Sequence, residues 1–376
     1  MDIDTNKPLI ISENKILNLC VYLLCVSSML QYSALFEGYS FVHVAVKYMI
    51  PILWIILLIL NLKSKQTMFG FVMSVFLVTM IVITSISTNN FSYTLVILFL
   101  IMSKELPISD FVRINLRVLM VMSFIYILLW LVNYVVPSGY PVFYNEAEKR
   151  IAFLFTHPNI AALKMGWGVI MYTWLHWDAL NKYRIIGCWC MVLFLYATTK
   201  SDACLLFLLY LVLISFENYK ILNKFIVGTS RYIFFVLGVI NVLLAHFYLS
   251  GHSVILLLDK VFSRRLAMGY LAIEDYGFTL FGREIDMSHE WSEIFNFGNY
   301  TIDSLYIYFY VCIGVFYFIL ISIGLWKLGK YKSYKAAIVT IIFSLYCLIE
   351  VHCLYLANCF TLFLLKTVLY NEKELA

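Results

Sequence analysis

Long apolar stretches separated by short polar segments run through this sequence and limit the folds open to it. The stretch 118–132, for example, contains no charged residue, and a helix needs about 20 predominantly apolar residues to cross a bilayer. Charged residues make up 13% of the chain, roughly half of what soluble domains carry. The pattern predicts an all-α polytopic membrane protein. It excludes an ordinary soluble enzyme, a disordered chain and a disulfide-stapled secreted domain.

We predict about twelve transmembrane helices in a single domain covering residues 1–376. Their expected ranges are 16–35, 41–61, 68–87, 90–103, 114–136, 158–176, 184–198, 202–217, 231–249, 303–325, 335–350 and 352–370. The fourth, seventh and eighth are short, so they must thin the bilayer or be buried by neighbouring helices. Spans nine and ten are separated by a large loop, 250–302, which is far longer than a connection needs.

The positions of Lys and Arg predict the orientation. With the N-terminus in the cytoplasm, most of the 27 Lys and Arg residues fall in cytoplasmic loops, such as 217–231 and 327–335, or in the two tails. Because cytoplasmic loops carry an excess of these residues, we expect both termini inside and the chain in the bacterial cytoplasmic membrane. The loops 137–157 and 250–302 then face outward, and we expect function at this extracytoplasmic face.

The first candidate group surrounds THPN (156–159), at the start of span six. Pro158 suits the first turn of a helix, because the N–H that it lacks is unpaired there anyway. His157 is therefore expected at or next to the N-cap, where free N–H groups favour an anion. Arg150 lies seven residues upstream on the same outer side. The alternative for His157 is a plain helix cap.

Two lysines inside predicted spans extend this group. Lys164 lies about two turns below His157 on roughly the same helix face, and Lys47 lies at a similar depth in span two. A lysine inside a span is costly and is a functional candidate by default. Together with Arg150 these cations would form one cavity for a phosphate-bearing substrate. The alternative is that both lysines extend to the membrane interface.

Two further groups lie on predicted outer segments. TTKSDA (198–203) offers Lys200, hydroxyl groups and Asp202, although it also fits an ordinary turn. FSRRL (262–266) places Arg264 and Arg265 together on an expected interfacial helix, 261–273. Arginine binds phosphate in a planar, bidentate way, so both are candidates for phosphate binding. The alternative is that they bind lipid headgroups.

Acids near these arginines are candidates for a general base. Glu274 lies in the large loop, and Asp303 opens span ten, where the helix dipole favours a carboxylate. Capping alone would also explain Asp303. The sequence contains no Walker A, GxGxxG or HExxH motif and no zinc spacing, which indicates neither a cofactor nor a metal site, although the loop acids leave room for a divalent ion. The net charge of +5 follows from loop placement and does not indicate nucleic-acid binding.

In order along the chain, these segments resemble the Wzy-type polysaccharide polymerases of the O-antigen ligase-like superfamily. Arg150 with FTHPN (155–159) resembles the family's arginine and HPN signature, and the TKSDA turn resembles its T.SR turn. FSRRL resembles its SGR segment, TLFGRE (279–284) its LFG segment, and YTIDSLYIYFYVCIGV (300–315) its DN.Y…GI helix. The resemblance covers about residues 150–315.

Three positions depart from the family pattern. Asp202 stands where the family has arginine, and Ser304 stands where it has asparagine after the aspartate. Arg264 stands where the family has glycine, so that Arg265 aligns with the family arginine. These departures affect the transfer of individual residue roles more than the resemblance as a whole.

The resemblance implies a glycosyltransferase-C-like membrane fold and an extracytoplasmic glycosyltransferase. Such a polymerase transfers a polyprenyl-diphosphate-linked glycan onto the sugar end of another lipid-linked repeat unit and releases polyprenyl diphosphate. The implied partners are this donor and acceptor, membrane lipids, a chain-length regulator and a flippase. The diphosphate ligands would be Arg150, Asn159, Lys164, Lys200, Arg264 and Arg265. The first candidate for the base is His157, followed by Asp303 or Glu274.

Two other functions remain open at this point. The related ligase, which moves a finished chain onto a lipid A core or a protein hydroxyl, shares the fold and the arginines. A transporter or flippase of lipid-linked sugars would also fit twelve spans. It predicts charged or helix-broken sites near the bilayer midplane and often repeated halves, whereas the charges here cluster toward the outer side and the halves look unlike.

Overall fold

The computed structural model describes residues 7–36, 68–88, 99–101, 106–136, 149–285 and 302–370, together with positions 52, 56 and 104. Within these ranges every regular element is helical, and one isolated β-bridge joins Ser33 to Phe155. The predicted all-α class is therefore confirmed for the described residues. Most of predicted span 41–61, including Lys47, most of span 90–103, and residues 286–301 of the large loop lie outside them.

The chain forms helices of very different length. The α-helices are, in chain order, α1 (Lys7–Gln31), α2 (Met68–Thr88), α3 (Ile108–Val135), α4 (Pro158–Leu175), α5 (Lys182–Thr199), α6 (Ala203–Ile214), α7 (Lys220–Ser230), α8 (Ile233–His246), α9 (Ser253–Val261), α10 (Arg265–Tyr276), α11 (Leu305–Tyr308), α12 (Val315–Leu328), α13 (Tyr334–Tyr346) and α14 (Leu365–Tyr370). Short 3₁₀-helices cover Ala34–Phe36, Trp177–Ala179, Tyr248–Ser250, Gly329–Tyr331, His352–Leu354 and Phe360–Leu364, and a π-helix covers Phe309–Ile313.

The helices divide into two compact units. Unit 1 consists of Met1–Lys65 and Ile101–Ser215, and unit 2 of Gln66–Leu100 and Phe216–Ala376. Unit 1 therefore contains α1 and α3 to α6, whereas unit 2 contains α2 and α7 to α14.

Helix α4 is the most deeply buried helix of unit 1 and packs against α3, α5 and α6. Gly166 permits the close approach of α6, since a Cβ at this position would lie 2.1 Å from the ring of Phe207. The hydroxyl groups of Thr173 and Tyr210 lie 2.7 Å apart across the same interface. Close packing against three neighbours fixes the N-terminal end of α4, where His157 and Asn159 lie.

In unit 2, α8 packs against α10, α12 and α13. An aromatic cluster fills this contact: the ring of Phe234 lies 5.1 Å from Tyr306, 5.5 Å from Phe318 and 5.7 Å from Phe343 between centroids. Such aromatic pairs contribute about 0.5–1.5 kcal/mol each beyond the area that they bury. The cluster holds α11 and α13 together, and their neighbouring ends carry the charged residues described below.

Predicted span ten is interrupted in its middle. The chain passes from α11 through the π-helix to Gly314, whose φ of 115° favours glycine, and then continues as α12. The TLFGRE segment lies against this break: Val315 and Phe316 donate from their backbone N–H groups to the carbonyls of Thr279 and Leu280, at 3.0 and 3.1 Å. Backbone groups freed by the interruption are thus paired within the protein, as an apolar environment requires.

Two described helices, α3 and the Phe71–Thr88 part of α2, are individually long and apolar enough to cross a membrane. Helices α7 and α8 meet this criterion together but are bent by 58°, so that residues 217–231, expected as a cytoplasmic loop, contain a helix. Helix α3 exposes large apolar side chains such as Phe124 and Val132, and an apolar exterior of this kind is compatible with a membrane location. The number of twelve spans stays a prediction.

Candidate functional site

The first group of candidate residues, the Arg150 cluster, lies in unit 1 and consists of Arg150, His157, Asn159 and Thr199. The guanidinium of Arg150 donates from Nη2 to the side-chain oxygen of Asn159 and from Nε to the carbonyl of Thr199, both at 3.0 Å. Arg150 therefore connects the N-terminus of α4 to the C-terminus of α5. A cation near the last carbonyls of α5 is also favoured by the dipole of that helix.

Backbone hydrogen bonds hold the segment that precedes α4 in place. Ile151 donates to the carbonyl of Thr198 at 2.9 Å, and Thr156 donates to the carbonyl of Tyr32 at 3.0 Å. Just before α4, Phe153 and Leu154 adopt positive φ values of 50° and 62°, which non-glycine residues rarely adopt. This bent, buried segment fixes where Arg150 and His157 lie.

His157 is the N-cap residue of α4, with Pro158 in the first turn. Its Nδ1 accepts a hydrogen bond from the backbone N–H of Asn159 at 3.1 Å, which requires an unprotonated Nδ1. Burial, and then the charge of Arg150, lower the pKa of His157 from 6.5 to about 4. At neutral pH the ring is therefore uncharged, and its Nδ1 lone pair is already used by the cap.

Lys164 lies inside unit 1 and does not extend to the surface, since only 1% of the residue is exposed. Its ammonium group donates to the hydroxyl of Ser28 at 2.7 Å and lies 5.3 Å from the centre of the Tyr32 ring. Both partners belong to α1 or follow it directly, so Lys164 joins α4 to α1. Lys200, in contrast, is exposed and has a left-handed conformation at the C-cap of α5.

The second group, the Arg265 cluster, lies in unit 2 and consists of Arg265, Asp303, Glu350 and His352. An Arg265 Nη2 atom lies 3.5 Å from a carboxylate oxygen of Asp303, with 16% and 43% of the two side chains exposed. Nε2 of His352 lies 3.9 Å from Oε1 of Glu350, which also accepts the backbone N–H of His352 at 3.3 Å. The cluster combines one arginine with two acids and an imidazole.

Arg265 is positioned by a tight turn between α9 and α10. Segment 261–273, expected as one interfacial helix, is therefore divided, because Ser263 and Arg264 adopt positive φ values of 52° and 65°. Buried Asp259 then caps α10, accepting the backbone N–H groups of Leu266 and Ala267 at 2.9 and 3.0 Å. This carboxylate satisfies the helix start, so an anion at this turn would bind through the arginine side chains and not through the backbone N–H groups of Leu266 and Ala267.

The guanidinium of Arg265 is incompletely satisfied. Nη1 donates to the carbonyl of Phe262 at 3.2 Å, and the contact to Asp303 is long for a charge-assisted bond. Its Nε is buried, and none of the described residues accepts a hydrogen bond from it. Buried donors are usually paired, so an unpaired one marks Arg265 as a candidate functional group.

Other residues proposed from the sequence take different positions in unit 2. Arg264 is exposed and borders a cavity of about 420 Å³ that is also lined by Tyr248 and Lys260. Glu274 is exposed on α10. Among the residues that the structure describes, no three His, Cys, Asp or Glu side chains are grouped so that they could hold a metal ion.

No family model, no curated protein and no solved structure matches this chain.

The sequence did not single out Glu350 and His352. Glu350 lies at the end of a predicted span, in the segment IEVHC (349–353), and α13 ends before it at Tyr346. Burial first, and then the charge of Asp303, raise the pKa of Glu350 from 4.5 to about 7, against the opposing effects of the His352 N–H and Arg265. The sequence signal that would have indicated this site is an acid followed two residues later by a histidine in an otherwise apolar region.

Proposed function

We propose that this chain is an extracytoplasmic glycosyltransferase of the Wzy polymerase type. It would join polyprenyl-diphosphate-linked repeat units by transferring the glycan of one onto the sugar end of another, with release of polyprenyl diphosphate. The observation that carries the proposal is the Arg265 cluster, in which an arginine with an unsatisfied, buried Nε lies beside two carboxyl groups. This combination suits a reaction that needs both an anion-binding group and a proton acceptor.

The chemistry of the leaving group explains the arginine. When the bond between the sugar and the diphosphate breaks, negative charge grows on the diphosphate oxygens, and a fixed cation beside them stabilises the transition state. The planar fork of Arg265 can bind two such oxygens at once. A diphosphate bound by this fork would compete with the long contact between Nη2 and Asp303.

The Arg150 cluster would serve substrate binding in unit 1. Donor and acceptor both carry a lipid-linked diphosphate in this reaction, so more than one cationic group is expected. Arg150 is already held by Asn159 and Thr199 at 3.0 Å, which fixes its orientation before substrate arrives. Preorganisation of this kind reduces the entropy that binding costs. Lys164, Lys200 and Arg264 stay proposed diphosphate ligands.

The proposed topology has twelve spans with both termini cytoplasmic, and two contacts in unit 2 each join segments that it places on the same side. In unit 2, Arg231 donates to the carbonyl of Gly329 at 3.1 Å, and both belong to segments expected inside. Leu305 donates to the carbonyl of Cys347 at 2.9 Å, and both lie at span ends expected outside. A reporter fused after Gly282 tests this orientation: activity outside the cytoplasm agrees with it, and activity in the cytoplasm overturns it.

A reconstitution experiment tests the activity. Purified protein in liposomes is given lipid-linked repeat units isolated from a strain that lacks this gene, and the products are separated by glycan length. Elongation without any other protein supports the polymerase. Transfer only after a lipid A core or a protein acceptor is added would identify a ligase instead.

The interruption at Gly314 favours a second candidate, a flippase of lipid-linked sugars. Transporters place broken helices at their substrate sites, and Gly314 divides predicted span ten. Here, however, segment 279–283 hydrogen-bonds to backbone groups around the break: Arg283 donates to the carbonyl of Cys312 at 2.9 Å. Movement of the repeat unit across the liposome bilayer without formation of a glycosidic bond would favour this candidate over the polymerase.

A further inference from the structure

Glu350 is a buried acid of unit 2 that belongs to none of the sequence motifs and has no role implied by the family resemblance. Glu350 lies in the turn between α13 and the His352–Leu354 helix, and only 8% of the residue is exposed. Its Oε1 accepts the backbone N–H of His352, and its own carbonyl accepts from the thiol of Cys353 at 3.0 Å. The turn therefore holds the carboxyl group in a fixed, largely dry position.

Backbone contacts place this turn next to the beginning of predicted span ten. The carbonyl of Cys347, three residues before Glu350, accepts from the backbone N–H of Leu305 at 2.9 Å and lies 3.4 Å from the Ser304 hydroxyl. Ser304 is fixed in turn by a 2.9 Å hydrogen bond to Asn241. Asp303, directly before Ser304, is the partner of Arg265. Three separate segments thus bring Glu350 to the side of the arginine.

The charges around Glu350 suit a group that exchanges a proton near neutral pH. Asp303 disfavours its ionised form, whereas Arg265 and the His352 N–H favour that form. Burial adds to the effect of Asp303 and brings the pKa to about 7. A general base works best when its pKa lies near the working pH. The imidazole of His352, 3.9 Å from Oε1, and the thiol of Cys353 are titratable groups that also interact with this carboxyl.

The other candidate bases are less suited by their surroundings. The Nδ1 lone pair of His157 is occupied by the helix cap, so protonation there would cost the cap. Glu274 is exposed to solvent. Asp303 is the acid in direct contact with Arg265, and 43% of its side chain is exposed, so its carboxylate is already engaged by the guanidinium.

We propose that Glu350 is the general base of the reaction, positioned by His352, with Arg265 as the neighbouring ligand of the leaving diphosphate. In this step the ionised carboxyl of Glu350 takes the proton of the acceptor hydroxyl. The acceptor oxygen then bonds to the anomeric carbon, and the electron pair of the broken carbon–oxygen bond leaves with the diphosphate. This role rests on the proposed function above.

Substitution of Glu350 tests the assignment in the liposome assay with lipid-linked repeat units. Glu350→Gln keeps an oxygen that can accept the His352 N–H but cannot take a proton. We expect the maximal rate to fall by about 100-fold or more, the usual contribution of a general base, with little change in the substrate concentration at half-maximal rate. Glu217→Gln, which removes an acid in a segment of unit 2 expected on the cytoplasmic side, serves as the matched control and should elongate normally.

The pH profile separates catalysis from a structural role. The wild-type rate should rise with pH through a midpoint near 7, as Glu350 ionises. Glu350→Asp should keep partial activity with a displaced midpoint, whereas the residual rate of Glu350→Gln should lack this midpoint. The role of Glu350 is overturned if Glu350→Gln elongates within a few-fold of wild type, or if its rate keeps the same midpoint.

The assay distinguishes failure of the proposed function from failure of the Glu350 assignment. If wild-type protein does not elongate the repeat units at all, the proposed function is wrong, and the role of Glu350 is wrong with it. If wild type and Glu350→Gln both elongate, the function stands and only the base is misassigned. Should Glu350→Gln fail to assemble, the midpoints of wild type and Glu350→Asp decide the assignment.

Discussion

The two arginines Arg150 and Arg265 differ in how completely the protein satisfies them. Arg150 donates two hydrogen bonds of 3.0 Å to neutral oxygens and joins two helix ends. Arg265 has a long contact to an acid and a buried Nε without an acceptor among the described residues. The first arginine is therefore part of the scaffold as well as a proposed ligand. The second is held in place with part of its binding capacity unused, as expected of a group that acts on a substrate.

The largest effect is expected for Arg265→Ala, which should abolish elongation while leaving protein level and thermal unfolding close to wild type. Lysine at this position should restore activity only in part, because a point charge lacks the planar fork. Arg113→Ala is the matched control, since Arg113 forms a surface ion pair with Asp110 at 2.9 Å and such pairs contribute little. Normal elongation by Arg265→Ala would remove the diphosphate-binding role.

Arg150→Ala should also abolish elongation, but with an additional loss of stability. Each hydrogen bond from a charged group contributes about 1.5–3 kcal/mol, and this substitution removes two. We expect a lower thermal unfolding temperature in detergent for Arg150→Ala than for Arg265→Ala. Equal unfolding temperatures for the two variants would contradict the contrast between a scaffold arginine and an unsatisfied one.

The two clusters should respond to pH with opposite sign. His157 has a pKa of about 6.5 in the unfolded chain and about 4 in the folded protein. Between pH 6.5 and 4 the unfolded chain therefore binds the proton more readily, and the stability of the fold falls as the pH decreases. Glu350 has a pKa of about 4.5 in the unfolded chain and about 7 in the folded protein. Between pH 4.5 and 7 the folded protein therefore binds the proton more readily, and the stability of the fold falls as the pH increases.

Two substitutions test these opposite dependences by thermal unfolding across pH 4 to 7. His157→Asn keeps a good N-cap residue without the titrating ring, and it should reduce the loss of stability in acid. Glu350→Gln should reduce the loss toward neutral pH. A variant that leaves the pH dependence of unfolding unchanged would refute the corresponding assignment.

The smallest effect is expected for Lys164→Met. The ammonium group of Lys164 has Ser28 and Tyr32 as partners, and replacing a buried charge by an apolar group of similar size is often neutral for stability. We expect normal assembly and a smaller loss of elongation than for Arg150→Ala. A loss as complete as that of Arg265→Ala would instead make Lys164 an essential substrate ligand.

Sequence reasoning was most successful where the determinants are local. Pro158 in the first turn makes the preceding His157 the cap of α4, and four consecutive residues are enough to predict this. The partner of Arg265 is Asp303, 38 residues away, and no local pattern contains that contact. The interruption at Gly314 likewise depends on hydrogen bonds from residues 279–283. Glu350 was missed because it looked like the polar end of an apolar span.

The most direct measurement is the amount of polyprenyl diphosphate released for each glycosidic bond formed by the purified protein. We expect one released molecule per bond in wild type and neither product with Arg265→Ala. Glycan elongation without release of polyprenyl diphosphate, or release that continues undiminished in Arg265→Ala, would contradict the proposed function.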